Sequence, residues 1–211
     1  MIIKSAQPLR VLSSAVCGGG WTRARNIVNM WVPKNYQGAD PARDLGAFIA
    51  EAGLKGDTVG LMTAVRSEFA VQRWAEVRQV TVGVIATAGV SNATAAGLAL
   101  GNRAAAPGTI NLVLLVDTQL MPAAMVNAVI TATEAKARAL RELDVRCATS
   151  GELATGTSTD AVVVATTDRG RPWPYAGPAT EIGHTLAQLV HAAVRQAVLE
   201  YNARVRDRGE G

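Results

Sequence analysis

An α+β fold, with layers of sheet and helices packed outside them, is what this sequence predicts, on three observations. Strand-like stretches often follow one another directly, which favours antiparallel pairing. Two of them, residues 109–117 and 160–167, are near-continuous apolar runs, the pattern of strands covered on both faces. Two long segments, 122–143 and 178–205, repeat apolar residues at helical spacing.

The elements follow in order. Residues 10–16 read as a short strand ending in Gly18-Gly19-Gly20, where the backbone can reach geometry closed to other residues. A second strand spans 26–32 and stops at Pro33, and 36–41 is loop. Asp40 is placed to cap a helix over about 41–53, with Pro41 at its first position and Gly53 at its end. Strands are expected at 58–64, roughly 70–77 and 79–88, the last rich in β-branched residues. A loop of small residues at 89–108 carries Ser91, Asn92, Asn102 and Pro107, and leads into the first apolar run. The helix over 122–143 has Val126, Val129, Ile130, Thr133, Ala137 and Leu140 on one face; after it comes loop to 160, with a short strand at 145–148, then the second apolar run. A Pro/Gly loop over 168–178 precedes the last helix, whose stripe is Ile182, Leu186, Leu189, Val190, Ala193, Ala197 and Tyr201.

The chain has 211 residues and reads as a single domain over 1–211, long enough to bury a core without disulfides or metals. Aromatic residues make up only 4%, so Ala and Val must fill much of that core. The net charge is +4, but the arginines are scattered and no basic stripe carries aromatic platforms, which argues against nucleic acid. No run approaches the length of a membrane span. The first twenty residues are interrupted by Lys4, Gln7, Pro8 and Arg10, unlike an export signal, so a cytoplasmic location is expected. Cys17 and Cys147 form no CxxC or Cys/His ligand set.

Candidate chemistry sits at the mouths of the two apolar runs. Thr109 opens the first behind Gly108, while Thr155, Thr157, Ser158, Thr159 and Asp160 crowd before the second. If the two strands are neighbours, a hydroxyl nucleophile, an orienting hydroxyl and an acid converge. Asn92 would add an amide donor for an oxyanion, an interaction worth about 10²–10³ in rate. The alternative is that these hydroxyls cap turns and strand ends, and spacing leaves both open. His184 and His191 share a helix face without an acidic ligand at metal spacing; His184 is either a general base or a packing residue. Glu134 and Lys136 are further candidates; they lie about 200° apart on their helix, so both cannot face one ligand without a helix distortion, and Glu134 with Arg138 reads as a surface pair. SAVCGGGWTRAR lacks the glycine spacing of a nucleotide-binding loop.

Read together, VLSSAVCGGGWTRARNIVN (11–29), TVGLMTA (58–64), GTINLVLLVDTQL (108–120), TATEAKARAL (131–140), GELATGTSTDAVVVA (151–165) and YAGPATEIG (175–183) resemble the adenosylcobinamide amidohydrolase family. The resemblance covers nearly the whole chain, in order. It implies hydrolysis of the amide that joins aminopropanol to the corrin ring of adenosylcobinamide, giving adenosylcobyric acid and 1-amino-2-propanol in corrinoid salvage. Cys17 stands where that pattern leads one to expect an ordinary apolar residue.

A second resemblance bears on mechanism. GTINLVLLVDTQLMPAAMV followed by TGTSTDAVVVAT is similar to DmpA-type aminopeptidases and ornithine acetyltransferases, layered α-β-β-α sandwiches with mostly antiparallel or mixed sheets. Carried over, Thr109 matches the nucleophile, Ser158 and Asp160 the hydroxyl-and-acid motif, and Asn92, loosely, the oxyanion donor. The expected cleft adds Ser13, Ser14, Gly18, Gly19, Gly20, Thr155, Thr157, Thr159, Thr180 and Glu181 as substrate-binding residues. No cofactor or metal is expected beyond the cobalt of the corrinoid, which is substrate. The expected partner is that small molecule, with neither nucleic acid nor membrane, and with room for a homo-oligomer. The rivals are a self-processing peptidase or acyltransferase cleaved between Gly108 and Thr109, and a corrinoid-binding protein without catalysis.

Overall fold

The computed structural model describes residues 1–98 and 108–207; Asn102 and Pro107 of the small-residue loop lie outside them. Among the described residues, nine strands and three helices run in the order β1 (Ile2–Ser13), β2 (Gly20–Trp31), α1 (Pro41–Glu51), β3 (Thr58–Thr63), β4 (Val71–Val77), β5 (Val80–Ala88), β6 (Ala93–Thr94), β7 (Ile110–Val116), α2 (Pro122–Glu142), β8 (Gly156–Thr157), β9 (Ala161–Thr166) and α3 (Glu181–Asp207). A 3₁₀ turn, Ser67–Phe69, precedes β4.

Seven strands form one mixed sheet in the order β3-β2-β1-β9-β7-β5-β4, and β6 pairs with β8 beside it. Two pairings are parallel, β2 with β3 and β7 with β9. Each is bridged by a helix, α1 and α2, because parallel neighbours need a crossover. The expected α+β class and mixed pairing therefore hold.

The two β layers are halves of a single sheet folded over itself. Ile27 of β2 and Val59 and Leu61 of β3 pack in one cluster with Ile85 of β5, Val113 of β7 and Val163 of β9. Polar ties cross the same interface: Asn29 Nδ2 donates to Thr87 Oγ1 at 3.1 Å, and Asn111 Nδ2 donates to Asn29 Oδ1 at 2.9 Å and to the Met62 carbonyl at 2.8 Å. On the outer face of β2, Val28 and Met30 pack with Leu45 of α1. On the far outer face, Leu112, Leu114 and Val116 of β7 pack with Met125 of α2 and Ile182 and Leu186 of α3. That explains the unbroken apolar run of β7: its even positions meet helices and its odd positions meet the other half-sheet. Each such side chain, fully buried, contributes about 1.5–3 kcal/mol.

Local details follow the chemistry of the turns. Asp40 caps α1, its carboxylate accepting from Arg43 N at 3.0 Å. β1 starts at Ile2, eight residues before the strand expected at 10–16. Its register with β2 shifts between Lys4 and Leu9, which lets Pro8 stay in the strand at a bulge. In place of the short strand at 145–148 there is only an isolated bridge between Arg146 and Leu153. Among the described residues no helix is long and apolar enough to cross a membrane.

Candidate active site

The parallel register pairs Asn111 with Ala161, so β7 and β9 begin side by side. Thr109, 7% exposed, is one residue before β7, and Thr159 lies beside it: the two hydroxyls are in direct contact, and Thr109 Oγ1 also approaches the Thr159 carbonyl at 3.3 Å. Thr159 Oγ1 donates to the Gly108 carbonyl at 3.0 Å. Asp160 turns to the helix side of the sheet. Its Oδ1 accepts from Ile110 N at 3.0 Å and from the Thr157 hydroxyl, and its Oδ2 binds Lys136 Nζ of α2. The Lys136 and Asp160 side chains are 8% and 13% exposed, so this is a nearly buried ion pair. Gly156 is needed beside it, because a Cβ there would lie 2.4 Å from Asp160 Oδ2 and 2.7 Å from Lys136 Nζ.

Asn92 closes the other side. Its Nδ2 donates to Ser158 Oγ at 2.8 Å, while its buried Oδ1 has no hydrogen-bond partner and rests against Gly108. A Cβ on residue 108 would come within 2.3 Å of that oxygen. Together Asn92, Gly108, Thr109 and Thr159 line a cavity of about 260 Å³, whose remaining walls include Val16, Val32, Tyr36, Met62 and Ala64. The Tyr36 phenol donates to Asp44 Oδ2 at 2.6 Å, and that hydrogen bond, then desolvation and the carboxylate's charge, push its pKa up to about 12.

The arrangement places hydroxyls and an amide on the cavity and keeps the charged pair behind them. Asp160 does not line the cavity. It fixes the backbone N–H next to Thr109 and thereby the position of that hydroxyl.

The other predicted residues divide by location. Thr157 belongs to the Asp160 cluster. Thr155 Oγ1 accepts from Ala96 N at 3.0 Å, tying down the loop after β6. Ser14 Oγ accepts from Val162 N at 3.1 Å and extends the β1–β9 pairing, and Ser13 is buried in β1 with its hydroxyl unpartnered. Gly18 and Gly20 take positive φ, +65° and +82°, in the β1–β2 turn; Gly19 packs on the Ala15 carbonyl. These glycines build a turn against β3, where Cys17 bridges Gly60, and they do not line the cavity.

Thr180 and Glu181 are not brought to this end. Thr180 Oγ1 accepts from Gly183 N at 3.1 Å at the start of α3, and Glu181 pairs at 2.7 Å with Arg78 in the β4–β5 turn. That turn is at the opposite end of β5 from Ala88, which pairs with Ile110. His184 and His191 do share a face, in a groove between α2 and α3, where His191 Nε2 meets Glu142 Oε2 at 2.6 Å and draws the Glu142 pKa down. The Glu134–Arg138 pair is replaced by Arg138–Glu142 at 2.9 Å. Among the described residues no group of three metal-ligating side chains gathers. Cys17 and Cys147 are free; hydrogen bonds to Ser150 and then Thr149 draw the Cys147 thiol down to about 6.

Of the two α2 candidates, Glu134 and Lys136, it is Lys136 that turns inward. The angle between Glu134 and Lys136 showed that they diverge, without showing which one turns inward. The row of alanines on α2 was the available signal, because Ala132, Ala135 and Ala139 on the buried face bracket Lys136.

Comparison with known proteins gives one consistent result. A family model described as adenosylcobinamide amidohydrolase matches residues 1–206. A protein of Methanosarcina mazei named adenosylcobinamide amidohydrolase is 33% identical over 186 residues, covering 84% of each chain. One of the same name from Halobacterium salinarum is 35% identical over 205 residues, covering 93% of this chain and 84% of its own. Among solved structures, the PH0078 protein of Pyrococcus horikoshii aligns with a TM-score of 0.33 at 17% identity, over 63% of this chain and 38% of its own.

Proposed function

The chain belongs to the adenosylcobinamide amidohydrolase family, and from that premise we propose that the Thr109 cavity is where the amide is cleaved. The protein is an amidohydrolase: it takes adenosylcobinamide to adenosylcobyric acid and 1-amino-2-propanol. The single observation that carries the assignment of the site is the Thr109 hydroxyl, held rigid at a strand mouth and opening into a cavity that also presents the Asn92 amide.

In the proposed step Thr109 Oγ attacks the amide carbonyl and forms a C–O bond. Thr159, whose hydroxyl touches that of Thr109, takes the released proton and passes its own to the departing amine as the C–N bond breaks. Asn92 Nδ2 donates to the oxyanion, and water then hydrolyses the ester. Asp160, Lys136 and Thr157 act behind the cavity as positioning residues, because they contact the Ile110 N–H and not the reacting atoms. In this scheme the chain's own groups suffice, the corrinoid cobalt is part of the substrate, and the protein works in the cytoplasm.

The test is incubation of chelator-dialysed protein with adenosylcobinamide and detection of both products by mass. Wild type should release them, Thr109→Ala should lose at least about 10²-fold in kcat, and Thr109→Ser should retain a measurable part. Full activity in Thr109→Ala would end the assignment.

A further inference from the structure

We propose that an exposed shelf beside the Thr109 cavity, formed by Trp31, Arg66, Phe69, Tyr201 and Arg204, seats the corrin ring of the substrate. The proposal rests on the amidohydrolase reading above and extends it from the scissile bond to the macrocycle.

Size forces the question. The Thr109 cavity is about 260 Å³, below the ~300–1,000 Å³ of sites that enclose a drug-sized ligand. It accommodates an amide arm. A corrin carrying its peripheral amides and an adenosyl group must rest outside.

The shelf is the surface that continues from the cavity mouth. Ala64 lines both the cavity and the adjoining depression of about 150 Å³ between Trp31, Phe69 and Tyr201. Buried Gly89 is packed between the two. A Cβ there would lie 3.2 Å from Val65, 3.5 Å from the Tyr201 ring and 3.8 Å from the Gly108 Cα, so shelf and site approach one glycine from two sides. Gly89 N also donates to the Thr109 carbonyl at 3.0 Å.

The chemistry of the shelf matches a flat ring edged with amides. Trp31 is 46% exposed although it ends a strand. The Arg66 guanidinium stands 5.7 Å over its ring, and the Arg204 guanidinium 3.7 Å over that of Phe69. A ring's electron-rich face attracts the cation above it, and each guanidinium brings up to five N–H donors to the shelf. Aromatic faces take the apolar macrocycle, and the N–H groups take the carbonyls of its peripheral amides. Selection for a corrinoid over a simple amide would then come from the shelf, and bond cleavage from the cavity.

The experiment reads binding and turnover separately. Kd for adenosylcobinamide is measured by visible absorption titration, and kcat and KM by product mass, for wild type, Trp31→Ala, Arg66→Met and Trp74→Ala. Trp74 is equally exposed, but it lines a different cleft, with Thr81, Asp117 and Asp168, at the opposite end of the sheet. Trp31→Ala should raise Kd and KM about tenfold and Arg66→Met about threefold, with kcat within twofold, while Trp74→Ala matches wild type. For N-(2-hydroxypropyl)propanamide, which lacks the macrocycle, kcat/KM should be the same in wild type and Trp31→Ala, a result that a merely structural role for Trp31 would not give. Unchanged Kd in both shelf variants, or a loss confined to Trp74→Ala, would overturn the shelf. A wild-type chain that binds the corrinoid but forms no adenosylcobyric acid would instead overturn the amidohydrolase reading, and the Kd series would still decide the shelf.

Discussion

Replacing Lys136 with Met removes one half of the ion pair behind Thr109 while keeping the length of the side chain. The two side chains are 8% and 13% exposed, so the pair belongs with buried ones, where loss of one partner costs about 3–5 kcal/mol, and not with exposed ones, worth about 0–1 kcal/mol. Asp160 keeps the Ile110 N–H and the Thr157 hydroxyl, which places the expected loss near the lower figure, about 3 kcal/mol. For a chain of this length that lowers Tm by about 6–12 °C. The assay is urea and thermal unfolding followed by circular dichroism. Asp160→Asn should suffer comparably. The double variant should lose less than the sum by about 1–3 kcal/mol, because it leaves no orphaned charge. Function should fall as well: a carboxylate freed from Lys136 keeps the N–H next to Thr109 but holds it less rigidly, and small misplacements of a reacting group cost up to about 10²-fold. A single-variant loss below about 1 kcal/mol, with kcat intact, would refute both the burial argument and the positioning role.

Two further predictions concern the walls of the site. Gly60→Ala would place a Cβ 2.6 Å from Leu45 Cδ2, forcing α1 away from β3 at a cost of about 1–3 kcal/mol; an unchanged urea midpoint would show that α1 does not pack as described. Tyr36, on the cavity wall, is pushed up to about 12 by its hydrogen bond to Asp44. Its folded pKa lies above the ordinary value, so its contribution to stability is complete below about pH 10 and is lost as pH rises through about 12. The difference in tyrosinate absorbance between wild type and Tyr36→Phe should therefore show a phenol titrating near 12, and titration near 10 would remove the hydrogen bond from the account.

Much of this architecture was legible because burial leaves a periodic trace. The β7 run and the stripe of α3 follow from which faces are covered, and the adjacency of Thr109 and Asp160 followed once two buried strands were set side by side. The face of α2 did not: Val126 and Ile130 of the expected stripe are exposed, and the buried face is one of small residues, Ala124, Ala128, Ala132, Ala135 and Ala139 with Met125. What escaped had local causes. The first strand was expected only from residue 10, whereas β1 begins at Ile2 and accommodates Pro8 at a bulge. The two-residue strands β6 and β8 are held by tertiary contact, with no periodicity of their own. Thr180 and Glu181 carry residue types suited to a site, but they stand at the start of a 27-residue helix, at the other end of the sheet from Thr109. The folding of one sheet into two layers depends on ties such as Asn29 to Thr87, 58 residues apart, which no local pattern encodes.

The most direct measurement is rapid-quench mass spectrometry of the intact protein during turnover of adenosylcobinamide. The account predicts a transient adduct equal in mass to adenosylcobyric acid less water, placed on Thr109 by peptide mapping and absent in Thr109→Ala. Turnover of Thr109→Ala at the wild-type rate, or an adduct mapped to another residue, would contradict it.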